Sequence, residues 1–173
     1  MILKNGQELI IEKAKPEDSK DILEYLNIVG GESDNLLFGK NGISMSIEQE
    51  SNFINNINNS KKSCMLIGRI DGIIASIVSL SGSERERIAH RGEIAVSVRK
   101  DYWNLGVGTI MMEELIQFAK EAGIEVIGLE VKSDNTNAIR LYEKFGFKRI
   151  GTYEKFFKID GIYYDSELMN LYL

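Results

Sequence analysis

The amino-acid sequence predicts an α/β (α+β) domain, a mixed and mostly antiparallel sheet of about seven strands flanked by about four helices. Three features point there. Asp71-Gly72 and Asp160-Gly161 each lie between apolar runs, the pattern of a two-residue β-hairpin. A strand–helix–strand passage after Val96 implies one crossover inside an otherwise antiparallel meander. The chain has 173 residues, 43% apolar and 27% charged, which suits one core and is short for two, so residues 1–173 are taken as a single domain.

Along the chain, Leu9-Ile10-Ile11 reads as a first strand. Pro16-Glu17-Asp18 opens a helix carrying Ile22, Leu23 and Leu26, with acidic residues in its first turn and Gly30-Gly31 as its stop. Residues 31–45 read as an irregular loop. Ser46 and Gln49 make a capping box for a helix through Asn59. Strands are expected near 63–70, 73–81 and 91–99. A helix over 107–121 carries the stripe Val107, Ile110, Met111, Leu115 and Ala119, and Gly123 stops it. Ile124–Val131 is a strand, 135–145 a helix, 147–158 a strand, and a last strand runs toward Leu173.

Composition excludes several functions. A net charge of -5 argues against a phosphate-backbone binder, so no nucleic-acid partner is expected. One cysteine and one histidine leave no disulfide and no zinc set, and no metal is expected. Cys64, within Cys64-Met65-Leu66-Ile67, reads as a buried strand residue. The start carries no basic-then-apolar leader and no apolar run approaches the ~20 residues of a membrane span, so cytoplasm is the default and no membrane is implied.

Two blocks carry chemistry. In the first, Asn104-Leu105-Gly106-Val107-Gly108-Thr109 joins the strand ending at Val96-Ser97-Val98 to the 107–121 helix. The first amides of a helix have no internal partner and lie at the positive end of its dipole. Glycines there let a diphosphate approach, and Thr109 adds a hydroxyl. A tight turn without ligand is the plain alternative. A dinucleotide fingerprint would need a third glycine where Met111 stands, and a nucleoside-triphosphate loop would need Gly-Lys-Ser/Thr; both are absent. In the second block, Asn135 and Tyr142 lie two turns apart on one helix face with Ile139 between them. They line a ligand groove, or else Asn135 caps the helix and Tyr142 packs with its hydroxyl satisfied.

Together the blocks resemble the GNAT N-acetyltransferase superfamily. Trp103 to Gly108 is similar to its Q/R-x-x-G-x-G/A signature, with Trp103 in place of the usual glutamine or arginine. Asn135, Ala138, Leu141, Tyr142, Gly146 and Phe147 resemble its N-x-x-A-x-x-L-Y-x-x-x-G-F segment. The likeness covers residues 60 to 173 well and the rest only in layout. It implies the GNAT acyl-CoA fold, with acetyl-CoA as cosubstrate and an amine acceptor as partner. It further implies that Val96, Ser97 and Val98 hold the pantetheine arm through backbone groups. Residues 104–109 would hold the diphosphate, Asn135 would bind near the pantetheine or a bridging water, and Tyr142 would stand by the thioester sulfur.

Acyl transfer to an amine needs a base, an oxyanion donor and a proton for the leaving thiolate. Tyr142 is the expected donor to sulfur and a backbone amide between Val96 and Val98 the oxyanion donor. Strand alternation puts Glu93, Ala95 and Ser97 on the face opposite Ile94, Val96 and Val98. Glu93 is the expected base, with a plain surface carboxylate, His90, or a water relayed by Ser97 as alternatives. For Phe156, Phe157, Tyr163 and Tyr164, core packing is the default, and an acceptor wall or a homodimer contact the alternatives. A non-catalytic CoA-binding module is the rival function.

Overall fold

The computed structural model describes every residue, Met1–Leu173. In chain order the elements are β1 (Ile10–Lys13), α1 (Ser19–Glu32), α2 (Ile47–Asn59), β2 (Cys64–Ile70), β3 (Ile73–Gly82), β4 (Arg91–Val98), α3 (Val107–Glu121), β5 (Val126–Lys132), α4 (Thr136–Lys144), β6 (Lys148–Ile159) and β7 (Ile162–Tyr172). The seven strands form one sheet in the order β1-β2-β3-β4-β5-β7-β6. Every neighbouring pair is antiparallel except β4 and β5.

The sheet divides two cores. Met111, Leu115 and Ile139 from α3 and α4 pack with Leu80, Ile127 and Met169. On the other face, Ile22 and Ile54 from α1 and α2 pack with Ile67 and Ile77. Cys64 is buried, and burial pushes its thiol up to about 11, so it is an inert core group.

Both Asp-Gly hairpins form with positive φ at both turn residues, Asp71 at 50° with Gly72 at 80°, and Asp160 at 49° with Gly161 at 83°. The capping box at Ser46 and Gln49 is present. Gly30-Gly31, expected to end the first helix, lies within α1, which runs on to Glu32. A Cβ on Gly30 would come within 2.5 Å of the Gly39 carbonyl oxygen. The glycine pair therefore admits the following loop against the helix rather than stopping it.

The four aromatic residues of the last hairpin depart from core packing: Phe156 and Tyr163 are exposed, and Phe157 and Tyr164 are half-buried. Phe157 instead lines the main cavity. The irregularity between Tyr153 and Phe157 sets it there, with Lys155 at positive φ and its amide donating to Asp165.

Candidate functional site

β4 and β5 pair only from Arg91↔Val126 to Glu93↔Gly128. Beyond Glu93 the strands diverge, and the gap opens into a cavity of about 830 Å³. Register decides which backbone groups face it. The Arg99 amide donates to the Ala75 carbonyl on β3, while the His90 carbonyl accepts from the Val126 amide on β5. Backbone direction alternates along a strand, so Ser97 and Ala95 turn their amides toward β3, and Ile94, Val96 and Val98 turn theirs toward β5. At Val96 and Val98 no β5 residue is paired to meet them.

One of these groups is already engaged. The Trp103 indole N–H donates to the Val98 carbonyl at 2.7 Å. The Val96 N–H and C=O and the Val98 N–H remain available in the gap, a strand edge onto which an amide-containing chain can add.

Ser97 lines the cavity with Val96 and Val98, but its polar groups are engaged within the protein. Its carbonyl accepts from the Ser76 hydroxyl at 2.7 Å. Its own hydroxyl accepts from Tyr25 at 2.9 Å and donates to the Ile77 carbonyl at 3.4 Å. These bonds tie β4 to β3 and α1, so Ser97 holds the strand and is a poor water relay. Burial raises the Tyr25 phenol above its ordinary value, which keeps it a donor.

At the open end of the gap stands the glycine turn. Asn104 and Gly106 have positive φ, 62° and 94°. Gly106 is the N-cap residue of α3, no side chain caps the helix, and its first turn holds no acidic residue. The Val107, Gly108 and Thr109 amides thus point out unpaired at the positive helix end. Asn104, Gly106, Val107, Gly108 and Thr109 line the cavity, whereas Leu105 does not and packs against the core. The two glycines serve different ends. Gly106 adopts a φ that side chains resist, while a Cβ on Gly108 would meet Leu141 Cδ2 at 3.2 Å. Gly108 thereby brings α3 close to α4.

α4 closes the other wall. Asn135 caps it, its Oδ1 accepting from the Ala138 amide at 3.3 Å, and it lines the cavity as well. Capping and lining are compatible because the cap uses only the carbonyl oxygen, leaving the amide NH₂ free to donate. Tyr142 is 7% exposed and packs against Phe147, yet it lines the cavity. Burial alone raises its phenol, to about 12, with no hydrogen bond contributing. A buried hydroxyl without a protein acceptor, facing a cavity, is poised to donate to a ligand.

Glu93, Ala95 and Ser97 occupy the α1–α2 face of the sheet, as alternation predicts, since Ser97 meets Tyr25 of α1 while Ile94 joins the α3–α4 core. Glu93 lines the cavity; His90 does not, and its carbonyl anchors the start of β5. Leu36 and Leu37 of the 31–45 loop also line it. Sequence reasoning missed Lys4, Arg91, Glu130 and Asn170, which line the same cavity. Alternation along β5 puts Glu130 opposite Leu129 and Val131, but its proximity to Glu93 follows only from the strand order.

The unpaired strand edge, the uncapped helix start and the free phenol suit a ligand with a pantetheine-like amide chain between a diphosphate and a thioester. Comparisons with known proteins show the family. The family model "Acetyltransferase (GNAT) family" matches residues 39–147, more than half of the chain. The L-amino acid N-acetyltransferase AaaT of Escherichia coli is 30% identical over 60% of this chain and 65% of its own length. The N-alpha-acetyltransferase RimI of Mycobacterium tuberculosis is 33% identical over 38% of this chain and 40% of its own. The chain thus spans under two thirds of these curated relatives. Among solved structures, a GNAT-family acetyltransferase from Streptococcus pneumoniae superposes with TM-score 0.93 and 32% identity, covering 96% of this chain and 100% of that one. For yncA of Salmonella typhimurium, determined with its cofactor acetyl-CoA, the TM-score is 0.84 at 19% identity over 96% and 94% of the chains, a likeness of fold alone.

Proposed function

The chain belongs to the GNAT acetyltransferase family, and from that premise we propose that it transfers an acetyl group from acetyl-CoA to a primary amine, by direct attack within a ternary complex. One observation carries the proposal: the unpartnered Val96 and Val98 edge runs in one cavity between the bare amides of α3 and the free hydroxyl of Tyr142.

Acetyl-CoA supplies an activated acetyl group on a thiol that leaves readily. The Val107, Gly108 and Thr109 amides hold its diphosphate, and the Val96 and Val98 backbone aligns its amide arm. The Val96 N–H donates to the acetyl oxygen as negative charge gathers there. An aliphatic amine has a pKa near 10.4, about 8 for an α-amine, so it arrives largely protonated. Glu93 takes that proton, directly or through one water, the freed lone pair forms the N–C bond as the C–S bond breaks, and the second proton shed by the acylated nitrogen passes to the thiolate or to solvent. Tyr142 donates to the departing sulfur. Its raised pKa keeps the phenol protonated, so it stabilises the leaving thiolate, of pKa near 8.5, by a hydrogen bond without giving up its proton.

Thiol release from acetyl-CoA against a panel of amines, with product mass analysis, tests the proposal. Amine-dependent, saturable release with acetylated product is expected. CoA binding without transfer to any amine class would instead make the chain a non-catalytic CoA-binding module.

A further inference from the structure

Five charged residues line the cavity: Lys4, Glu32, Arg91, Glu93 and Glu130. Glu32 is engaged, because its carboxylate accepts from the Lys100 amide at 2.7 Å and stands 4.0 Å from the Arg99 guanidinium. Glu93 and Glu130 take part in no ion pair.

These two carboxylates share the α1–α2 face of the sheet, on strands paired at Glu93↔Gly128, with Glu130 two residues further along β5. They sit where the strands begin to part. Partial desolvation at the cavity edge, and after it the charge of Glu93, raises the largely exposed Glu130 carboxyl above its ordinary value, which fits carboxylates within electrostatic reach.

An independent feature lies in the same row. Asn170 on β7 pairs with Gly128 and is only 6% exposed, yet it lines the cavity. Its NH₂ donates to the Tyr172 hydroxyl at 3.4 Å, leaving its Oδ1 without a protein donor. A Cβ on Gly128 would lie 3.3 Å from that Oδ1 and 3.9 Å from Glu93 Cγ, so both side chains converge above the bare glycine. Two unpaired carboxylates and the open Asn170 Oδ1 on one face of the cavity suit a ligand that brings N–H groups and positive charge. Arg91, on the same face two residues before Glu93, is exposed and pairs with neither carboxylate.

We propose that Glu130 is an acceptor-binding residue that selects a dicationic amine. Glu93 and the Asn170 Oδ1 receive the reacting ammonium, and Glu130 holds a second one. The substrate class is then a short aliphatic diamine or a longer polyamine, rather than a free amino acid, whose carboxylate would face two like charges. This rests on the acetyl-transfer function proposed above.

Steady-state thiol release with 1,4-diaminobutane, n-butylamine and L-alanine, on the full chain and on Glu130→Gln, tests it. Glu130 is exposed, so the variant retains its fold. The wild type should favour the diamine over both others by at least tenfold in kcat/KM, and Glu130→Gln should lower the diamine-to-butylamine ratio by about tenfold, the effect of one charge-assisted hydrogen bond. Acetylation without diamine preference, a preference for L-alanine, or a ratio unchanged in Glu130→Gln would overturn the inference and leave acetyl transfer standing. If CoA binds and no amine is acetylated, the enzyme proposal falls instead. Calorimetry of 1,4-diaminobutane on the CoA complex then decides the site: tenfold weaker binding in Glu130→Gln upholds it, and equal or absent binding overturns it.

Discussion

The indole N–H of Trp103 reaches back 2.7 Å to the carbonyl of Val98, so the residue heading the glycine turn also anchors the end of the splayed strand. A glutamine or arginine at this position, as in the signature the turn resembles, offers a flexible side chain; the indole locks turn and strand together. Trp103→Phe removes that bond and keeps the ring. Loss of about 1 kcal/mol is expected, a fall of roughly 2–4 °C in Tm, with CoA affinity weakened at least threefold. Thermal unfolding and calorimetry read both, and two unchanged values would mean that the bond positions nothing.

Tyr142→Phe keeps the packing against Phe147 and deletes the free hydroxyl. Turnover should fall by about 10²-fold while CoA affinity changes less than threefold. The pH dependence has a definite sign. With the phenol raised to about 12, its donor form persists throughout the neutral and mildly alkaline range. Ionisation of Tyr142 therefore adds no falling limb below pH ~10.5. A wild-type fall in that range that vanishes in Tyr142→Phe would contradict this assignment.

Glu93→Gln should cost about 10²-fold in kcat/KM near pH 7, where an aliphatic amine is almost wholly protonated. The deficit should shrink as pH rises toward the amine's own pKa near 10.4, because solvent then does the deprotonation. A pH-rate series on both proteins measures it. A deficit constant across pH would assign Glu93 to binding rather than to proton removal.

Gly108→Val places a branched side chain against Leu141, whose Cδ2 already stands 3.2 Å from the Cβ position. Stability should drop by about 1–3 kcal/mol, and CoA binding should weaken as the helices are pushed apart. Leu141→Ala in the same chain should recover part of both losses. Failure of that second substitution to restore anything would place the obstruction on the diphosphate itself.

Much of the fold is legible because local chemistry and final structure agree. The Asp-Gly pairs demand positive φ and receive it, and the apolar stripe of α3 has the boundaries that its periodicity implies. The turn and Tyr142 are legible for the same reason: bare helix amides and a phenol at two-turn spacing from Asn135 are local facts. Elsewhere the deciding partner is remote in sequence. Gly30 looks like a stop until Gly39 is found against it. Ser97 looks available until Tyr25 and Ser76 claim it. Glu130 and Asn170 look like ordinary strand residues until β5 is inserted between β4 and β7.

Backbone amide NMR with CoA titrated into the protein reports most directly on whether a thioester carrier lies along the splayed edge of β4. The largest shifts should fall on Val96, Val98, Val107, Gly108 and Thr109, with little change at Glu130 and Asn170. Shifts gathered elsewhere, or no saturable response at those five amides, would contradict the central claim.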